Sequence, residues 1–195
     1  GGTGSGKTTL AKKIIDSYQN IKINYLSLDS YYKDFSQMSF TERSKINFDH
    51  PDSIDFDLFY QQINEYLTGS DIKTPTYSYK RHKRLKKKGN LRQGDLLIVD
   101  GILILLKKSI RDFFDLSIFL KVNSSERLKR RIRRDINERG RSKIEISDRF
   151  YNMIKPMHKK YVKPSENFAD VVLGEDYDYE LIKIKIDQLL NGNHK

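Results

Sequence analysis

The chain has 195 residues, with 37 Lys and Arg against 26 Asp and Glu, a formal charge of +11. It has no cysteine, which excludes a disulfide framework, a thiolate metal site and a cysteine nucleophile together. The longest apolar run, Ile102–Leu106, is far too short to span a bilayer, and the basic balance points to nucleic acid or to the phosphates of a small ligand.

Gly1-Gly2-Thr3-Gly4-Ser5-Gly6-Lys7-Thr8 fits the phosphate-binding loop pattern, followed by Thr9. Glycines let a backbone wrap a phosphate and aim its N–H groups inward. Lys7 would supply a charge for the outer phosphates and Thr8 a hydroxyl for Mg²⁺. Leu10, Ile14, Ile15 and Tyr18 recur at helical spacing, so a helix should follow with its positive end toward the anion. A buried strand normally feeds such a loop, and the expectation is that one precedes Gly1 in a longer protein.

Asn24–Leu28 reads as a short strand ending at Asp29. Phe56, Phe59, Ile63 and Tyr66 predict an amphipathic helix over 55–67, closed by Gly69. Residues 72–92 read as a β-hairpin insertion and Leu96–Val99 as a buried parallel strand ending at Asp100. Leu116–Val122 predicts another strand and Ser125–Glu138 an arginine-rich helix. Along that helix Arg127, Arg131 and Arg134 share one face, and Leu128, Ile132 and Ile136 form a separate apolar stripe. Ser147–Tyr161 predicts a helix kinked or broken at Pro156, Ala169–Leu173 a last strand, and Tyr179–Leu190 a closing helix. Strands alternating with helices predict one α/β domain over 1–195, a P-loop NTPase-type parallel sheet flanked by helices. An Arg-rich lid over about 124–146 should hinge at Gly140.

Ligands of open parallel sheets bind at the carboxyl ends of the strands, where Asp29 and Asp100 should lie. Two carboxylates beside a phosphate loop suit Mg²⁺ and proton handling. Tyr77, Tyr79 and His82 on one hairpin could offer an aromatic face with polar groups at its edge.

Several blocks then give a closer match. Asp29-Ser30-Tyr31-Tyr32 is followed by Ile46-Asn47-Phe48-Asp49-His50-Pro51-Asp52, Pro75-Thr76-Tyr77 and Asp100-Gly101-Ile102. Arg133-Arg134-Asp135-Ile136-Asn137-Glu138-Arg139-Gly140-Arg141, Pro156-Met157-His158 and Tyr161-Val162-Lys163-Pro164 come after. In order and spacing these resemble the uridine (uridine–cytidine) kinase family from residue 1 to about 173. The resemblance implies transfer of the γ-phosphate of ATP or GTP, with Mg²⁺, to the 5′-hydroxyl of uridine or cytidine in pyrimidine salvage. It implies that residues 1–9 bind the donor. Asp29 would be the base, and Lys7, Arg134 and Arg139 would act on phosphate. Thr8, Asp100 and Asp29 would serve the metal. Asp49 would hold the ribose, and Tyr32, Tyr77, His82, Arg131, Arg141 and Arg149 would surround the nucleoside. A cytoplasmic homo-oligomer, often a tetramer, with no nucleic-acid or membrane partner is also implied.

Some positions depart from that family. Asp100 stands where glutamate is usual, Ser78 follows the hairpin tyrosine where Asp or Asn is common, and Arg149 replaces a glutamine. Gly174-Glu175-Asp176-Tyr177 replaces a Pro-x-Gly-Gly turn, and the run 80–88 is unusually basic. Two alternatives follow: another small-molecule kinase of the fold, phosphoribulokinase-like, or a nucleic-acid-binding protein using 80–88. The lack of an Asn-Lys-x-Asp motif argues strongly against a GTPase switch.

Overall fold

A computed structural model describes residues 1–192. The loop over residues 1–6 leads into α1 (Lys7–Ser17), and β1 (Ile23–Ser27) ends in a 3₁₀ turn over Leu28–Tyr31. Short α2 (Phe40–Ser44) carries a Ser39/Glu42 capping box, and α3 (Phe56–Leu67) is capped by Asp55, whose side chain accepts from the Leu58 N–H. The hairpin is β2 (Thr76–Ser78) and β3 (Lys83–Leu85), paired antiparallel. After it come β4 (Leu96–Asp100), α4 (Lys108–Arg111), β5 (Ile118–Leu120) and α5 (Ser124–Arg139). The chain closes with α6 (Lys143–Arg149), α7 (Lys155–Met157), β6 (Val171–Leu173) and α8 (Tyr179–Leu190).

Helices cover both faces of the strands. Along β4, Leu97 and Val99 join a core with Leu28, Tyr31, Phe59 and Ile63, while Leu96 and Ile98 join another with Leu10, Ile14, Ile182 and Ile186. Phe119 and Leu120 of β5 divide the same way. That alternation follows from the two-residue period of a strand and gives both faces an apolar demand. On the second face α8 is also tied to α1, since the Tyr18 hydroxyl donates to Asp187 at 2.7 Å.

The expected single sheet is in two pieces. β1 pairs parallel with β4, and β5 pairs parallel with β6. Between β4 and β5 lies a cavity of about 430 Å³, lined by residues including Leu97, Val99, Leu116, Ile118 and Gly1. The cavity explains why apolar β4 is only half-buried rather than enclosed.

The helix expected over Ser147–Tyr161 is present, and of the kink or break expected at Pro156 the break does not occur. The chain stays helical from Lys143 to Val162 because wide π turns over Phe150–Ile154 and His158–Val162 flank α7. A wider i→i+5 turn relaxes the ladder around a residue with no N–H to give. On α5 the buried side chains lie on the charged face: Arg127, Arg131 and Asp135 are buried, and Ile136 is 43% exposed. Those three lie at i, i+4 and i+8, so the helix turns its charged stripe toward the phosphate loop.

Candidate active site

The phosphate loop is built by close packing on α5 and its neighbours. A Cβ on Gly4, at φ +76°, would strike the backbone carbonyl of Arg127. One on Gly2 would lie 2.5 Å from Arg127 Nη1 and 2.7 Å from His158 Nδ1. Glycine is therefore required at Gly4 for both conformation and space, while at Gly2 a side chain would have to push Arg127 and His158 aside. Ser5 is buried with an unpartnered Oγ, Gly6 caps α1 in the left-handed conformation, and Gly1 and Thr3 are half-buried. Thr8 and Thr9 are exposed on the first helical turn. Lys7 Nζ donates to the Gly2 carbonyl at 2.9 Å, folding its ammonium over the loop. Burial lowers the Lys7 pKa, while Asp100 and Asp29 act to raise it.

Parallel pairing of β1 with β4 sets Ser27 opposite Asp100, so Asp29 and Asp100 emerge at the same strand ends. Asp100 Oδ2 accepts from Thr8 Oγ1 at 2.8 Å and from the Tyr25 hydroxyl at 3.0 Å. Asp29 accepts from the Tyr79 hydroxyl at 3.1 Å on Oδ2 and from Tyr32 at 3.4 Å on Oδ1. Burial raises the Asp29 pKa, the Asp100 charge adds to this, and Lys7 and Tyr79 oppose it. Like charges acting on each other beside a hydroxyl form a hard-oxygen set that fits Mg²⁺. Among the described residues no group of three or more His, Cys, Asp or Glu could hold a metal by itself. The fit is therefore to an ion that keeps waters and takes phosphate oxygens, which is how Mg²⁺ is usually held.

Beyond Asp29 the side chains turn aromatic. Buried Tyr32 meets Phe48 and Tyr77 edge-on, at 4.9 and 5.1 Å between centroids. His82, at φ +48°, stacks on Phe48 at 5.4 Å and 15°. Burial, then Arg141 and Arg149, lower the His82 pKa, which keeps the ring neutral at neutral pH. The Tyr77 hydroxyl is buried with no partner. Asp49 stands nearby with its pKa raised by burial, against which Arg131 acts most strongly. A second cavity, of about 240 Å³, is lined by Phe40, Tyr79, His82, Arg139, Arg141 and Arg149 among others. Arg149 donates to the carbonyls of Ser44 and Ile46 at 2.8 and 3.4 Å, clamping the loop that leads to Asp49.

The arginines of α5 face inward. Arg131 Nη1 donates to Thr3 Oγ1 at 2.8 Å, joining helix and loop. Arg134 donates to Asp135 at 2.8 Å, and Arg139 lies over the Tyr79 ring at 4.7 Å. Arg149 both clamps the loop that leads to Asp49 and lines the smaller cavity beside Tyr79 and His82.

Four residues were not legible as site residues. Tyr25 reaches Asp100 only through the strand register. Arg127 lies under the loop glycines and donates to the Val122 carbonyl. Asp135 sits among the arginines. Arg84, inside the basic run, donates to the carbonyls of Tyr32 and Tyr31 at 2.7 and 3.2 Å and pairs with Asp55 at 3.0 Å. Its place on β3 opposite Tyr77 was the one available signal. The run is therefore no uniform patch: Arg84 turns inward, while Lys86, Lys87 and Lys88 are exposed.

Comparison with known proteins agrees with this geometry. The model of the phosphoribulokinase / uridine kinase family matches residues 1–178. The uridine kinase of Streptococcus pyogenes is 42% identical over 175 residues, 90% of this chain and 84% of that enzyme. The uridine kinase of Streptococcus gordonii is 39% identical over 194 residues, 97% of this chain and 92% of that enzyme. In fold the chain is similar to phosphoribulokinase from Rhodobacter spheroides, with TM-score 0.66, 16% identity and 88% and 67% of the two chains covered. It is also similar to D-glycerate 3-kinase from Cryptococcus neoformans, with TM-score 0.62, 13% identity and 91% and 84% covered. With its phosphate loop, paired strand-end carboxylates and inward-facing arginine helix, the chain belongs to the phosphoribulokinase / uridine kinase family.

Proposed function

We propose that this protein is a uridine kinase that transfers the γ-phosphate of ATP to the 5′-hydroxyl of uridine, and also of cytidine. The observation that carries the reading is the position of Asp29. The charges of Asp100 and Lys7 act on it, and its two oxygens accept from Tyr32 and Tyr79 of the aromatic pocket. A carboxylate so placed can take a proton from a hydroxyl that enters from the aromatic side.

The remaining roles follow from chemistry. The loop amides and Lys7 hold the donor phosphates. Thr8, Asp100 and Asp29 would hold Mg²⁺, which would supply positive charge to the phosphate oxygens. Asp49 accepts from the ribose hydroxyls, since an ionised carboxylate can take two hydrogen bonds. Tyr32, Tyr77 and His82 enclose the base, with Arg131, Arg141 and Arg149 around them. Asp29 removes the 5′-hydroxyl proton as the 5′-oxygen bonds the γ-phosphorus. The bond to the bridging oxygen breaks, leaving ADP and the nucleoside monophosphate. Arg134 and Arg139 neutralise charge on the moving phosphoryl group, a contribution worth about 10³–10⁵ in rate where an arginine finger supplies it.

The experiment is a coupled ADP-release assay with Mg-ATP and a panel of uridine, cytidine, adenosine, thymidine, ribulose 5-phosphate and pantothenate. Turnover confined to uridine and cytidine is expected. Turnover only on ribulose 5-phosphate or pantothenate would overturn the reading. No helix among the described residues is long and apolar enough to cross a membrane. A cytoplasmic, tetrameric enzyme with no nucleic-acid partner remains part of the proposal.

A further inference from the structure

Asp135 is fully buried, and none of the roles above uses it. Four guanidinium groups close on its carboxylate. Arg134 and Arg139 approach Oδ1 at 2.8 and 3.5 Å, and Arg131 and Arg141 approach Oδ2 at 3.4 and 3.8 Å. Sequence spacing explains the convergence. Arg131 and Arg139 sit one turn before and after Asp135 on α5. Arg141 returns because Gly140 caps the helix at φ +64° and the Arg141 N–H bonds the Asp135 carbonyl at 3.2 Å.

Bonding in this cluster is incomplete. Arg134 Nε donates to Oδ1 at 2.8 Å, but Oδ2 and the Nε of Arg131 have no hydrogen-bond partner. One negative charge is shared by four positive groups, so they compete for it. Each group also leads elsewhere. Arg131 bonds Thr3 of the phosphate loop and faces Asp49. The charge of Arg134 acts on Lys7. Arg139 covers Tyr79, which bonds Asp29. Arg141 lines the smaller cavity with His82 and Arg149.

We propose that Asp135 is a positioning residue that couples occupancy of the phosphate side to affinity on the nucleoside side. Donor phosphates draw Arg134 and Arg139 away from Oδ1. The carboxylate then has more charge to offer Arg131 and Arg141, which settle on it and hold their nucleoside-facing positions. Linkage makes the effect reciprocal, so a bound nucleoside tightens the donor by the same factor. The inference rests on the functional reading above.

Calorimetry tests it on the parent, Asp135→Asn and Asp135→Glu proteins. Uridine affinity is measured with and without a saturating, non-hydrolysable Mg-ATP analogue. In the parent the analogue should tighten uridine at least about fivefold, the lower end of ordinary coupling. In Asp135→Asn the ratio should fall to about one while each ligand still binds alone, and Asp135→Glu should restore part of it. A merely structural role would weaken both ligands and leave the ratio unchanged. If Asp135→Asn does not fold, Arg141→Gln removes one outer arginine instead and should lower the ratio. An unchanged ratio in a folded Asp135→Asn or Arg141→Gln protein would overturn the proposal, as would a ratio of one in the parent. Failure of the parent to bind uridine in either state would remove the functional reading and this inference with it.

Discussion

The Tyr79 hydroxyl donates to Asp29 Oδ2 at 3.1 Å, so a residue of the hairpin insertion holds the carboxylate at the end of β1. The bond favours the ionised form and so works against the burial that raises the Asp29 pKa. A base must be ionised to act, so rate should be lost as pH falls through that raised value. Tyr79→Phe removes the bond and should move the acid limb of kcat/KM to higher pH, with the rate well above the limb nearly unchanged. A pH profile coincident with the parent's would remove Tyr79 from this role.

Arg84 ties the hairpin to the turn after β1 through two carbonyls and Asp55. Hydrogen bonds to charged groups are each worth about 1.5–3 kcal/mol. Arg84→Ala should therefore release the pocket side and raise the KM for uridine at least about tenfold, which is about 1.4 kcal/mol. The KM for ATP should change little, because the phosphate loop does not touch Arg84. Equal increases in both constants would mean that the hairpin does not act on the nucleoside alone.

Gly4 packs against the Arg127 backbone at a φ that side chains resist. Left-handed backbone costs a non-glycine residue about 1–2 kcal/mol, before any clash. A domain of this size loses about 2–4 °C per kcal/mol. Gly4→Ala should melt measurably lower and should lose the rise in melting temperature that Mg-ATP gives the parent. A parent-like melt with full nucleotide protection would show that the loop relaxes more freely than its packing implies.

Much of this architecture could be read from sequence because it depends on local pattern. Tyr179–Leu190 is helical to the residue, since its apolar period and the Asp178 cap agree. Asp29 and Asp100 were legible because apolar strands end at them. Distance in sequence hid the rest. Tyr25 finds Asp100 across a ladder of residues more than 70 positions apart. The arginine face of α5 was legible as a lid toward phosphate, but its burial was not. Its arginines are buried because the phosphate loop presses on Arg127 and because Asp135 gathers the others. The helix through Pro156 was legible, but the wide π turns that carry it past the proline were not, because they leave no simple period.

The most direct test of the central claim is single-turnover transfer from Mg-ATP to uridine by the parent and by Asp29→Asn, with uridine affinity measured separately. The account predicts uridine 5′-monophosphate from the parent and a rate about 10²–10⁴ lower in the variant, the usual size of general-base catalysis, with little change in affinity. No phosphorylated uridine from the parent, or a variant as fast as the parent, would contradict it.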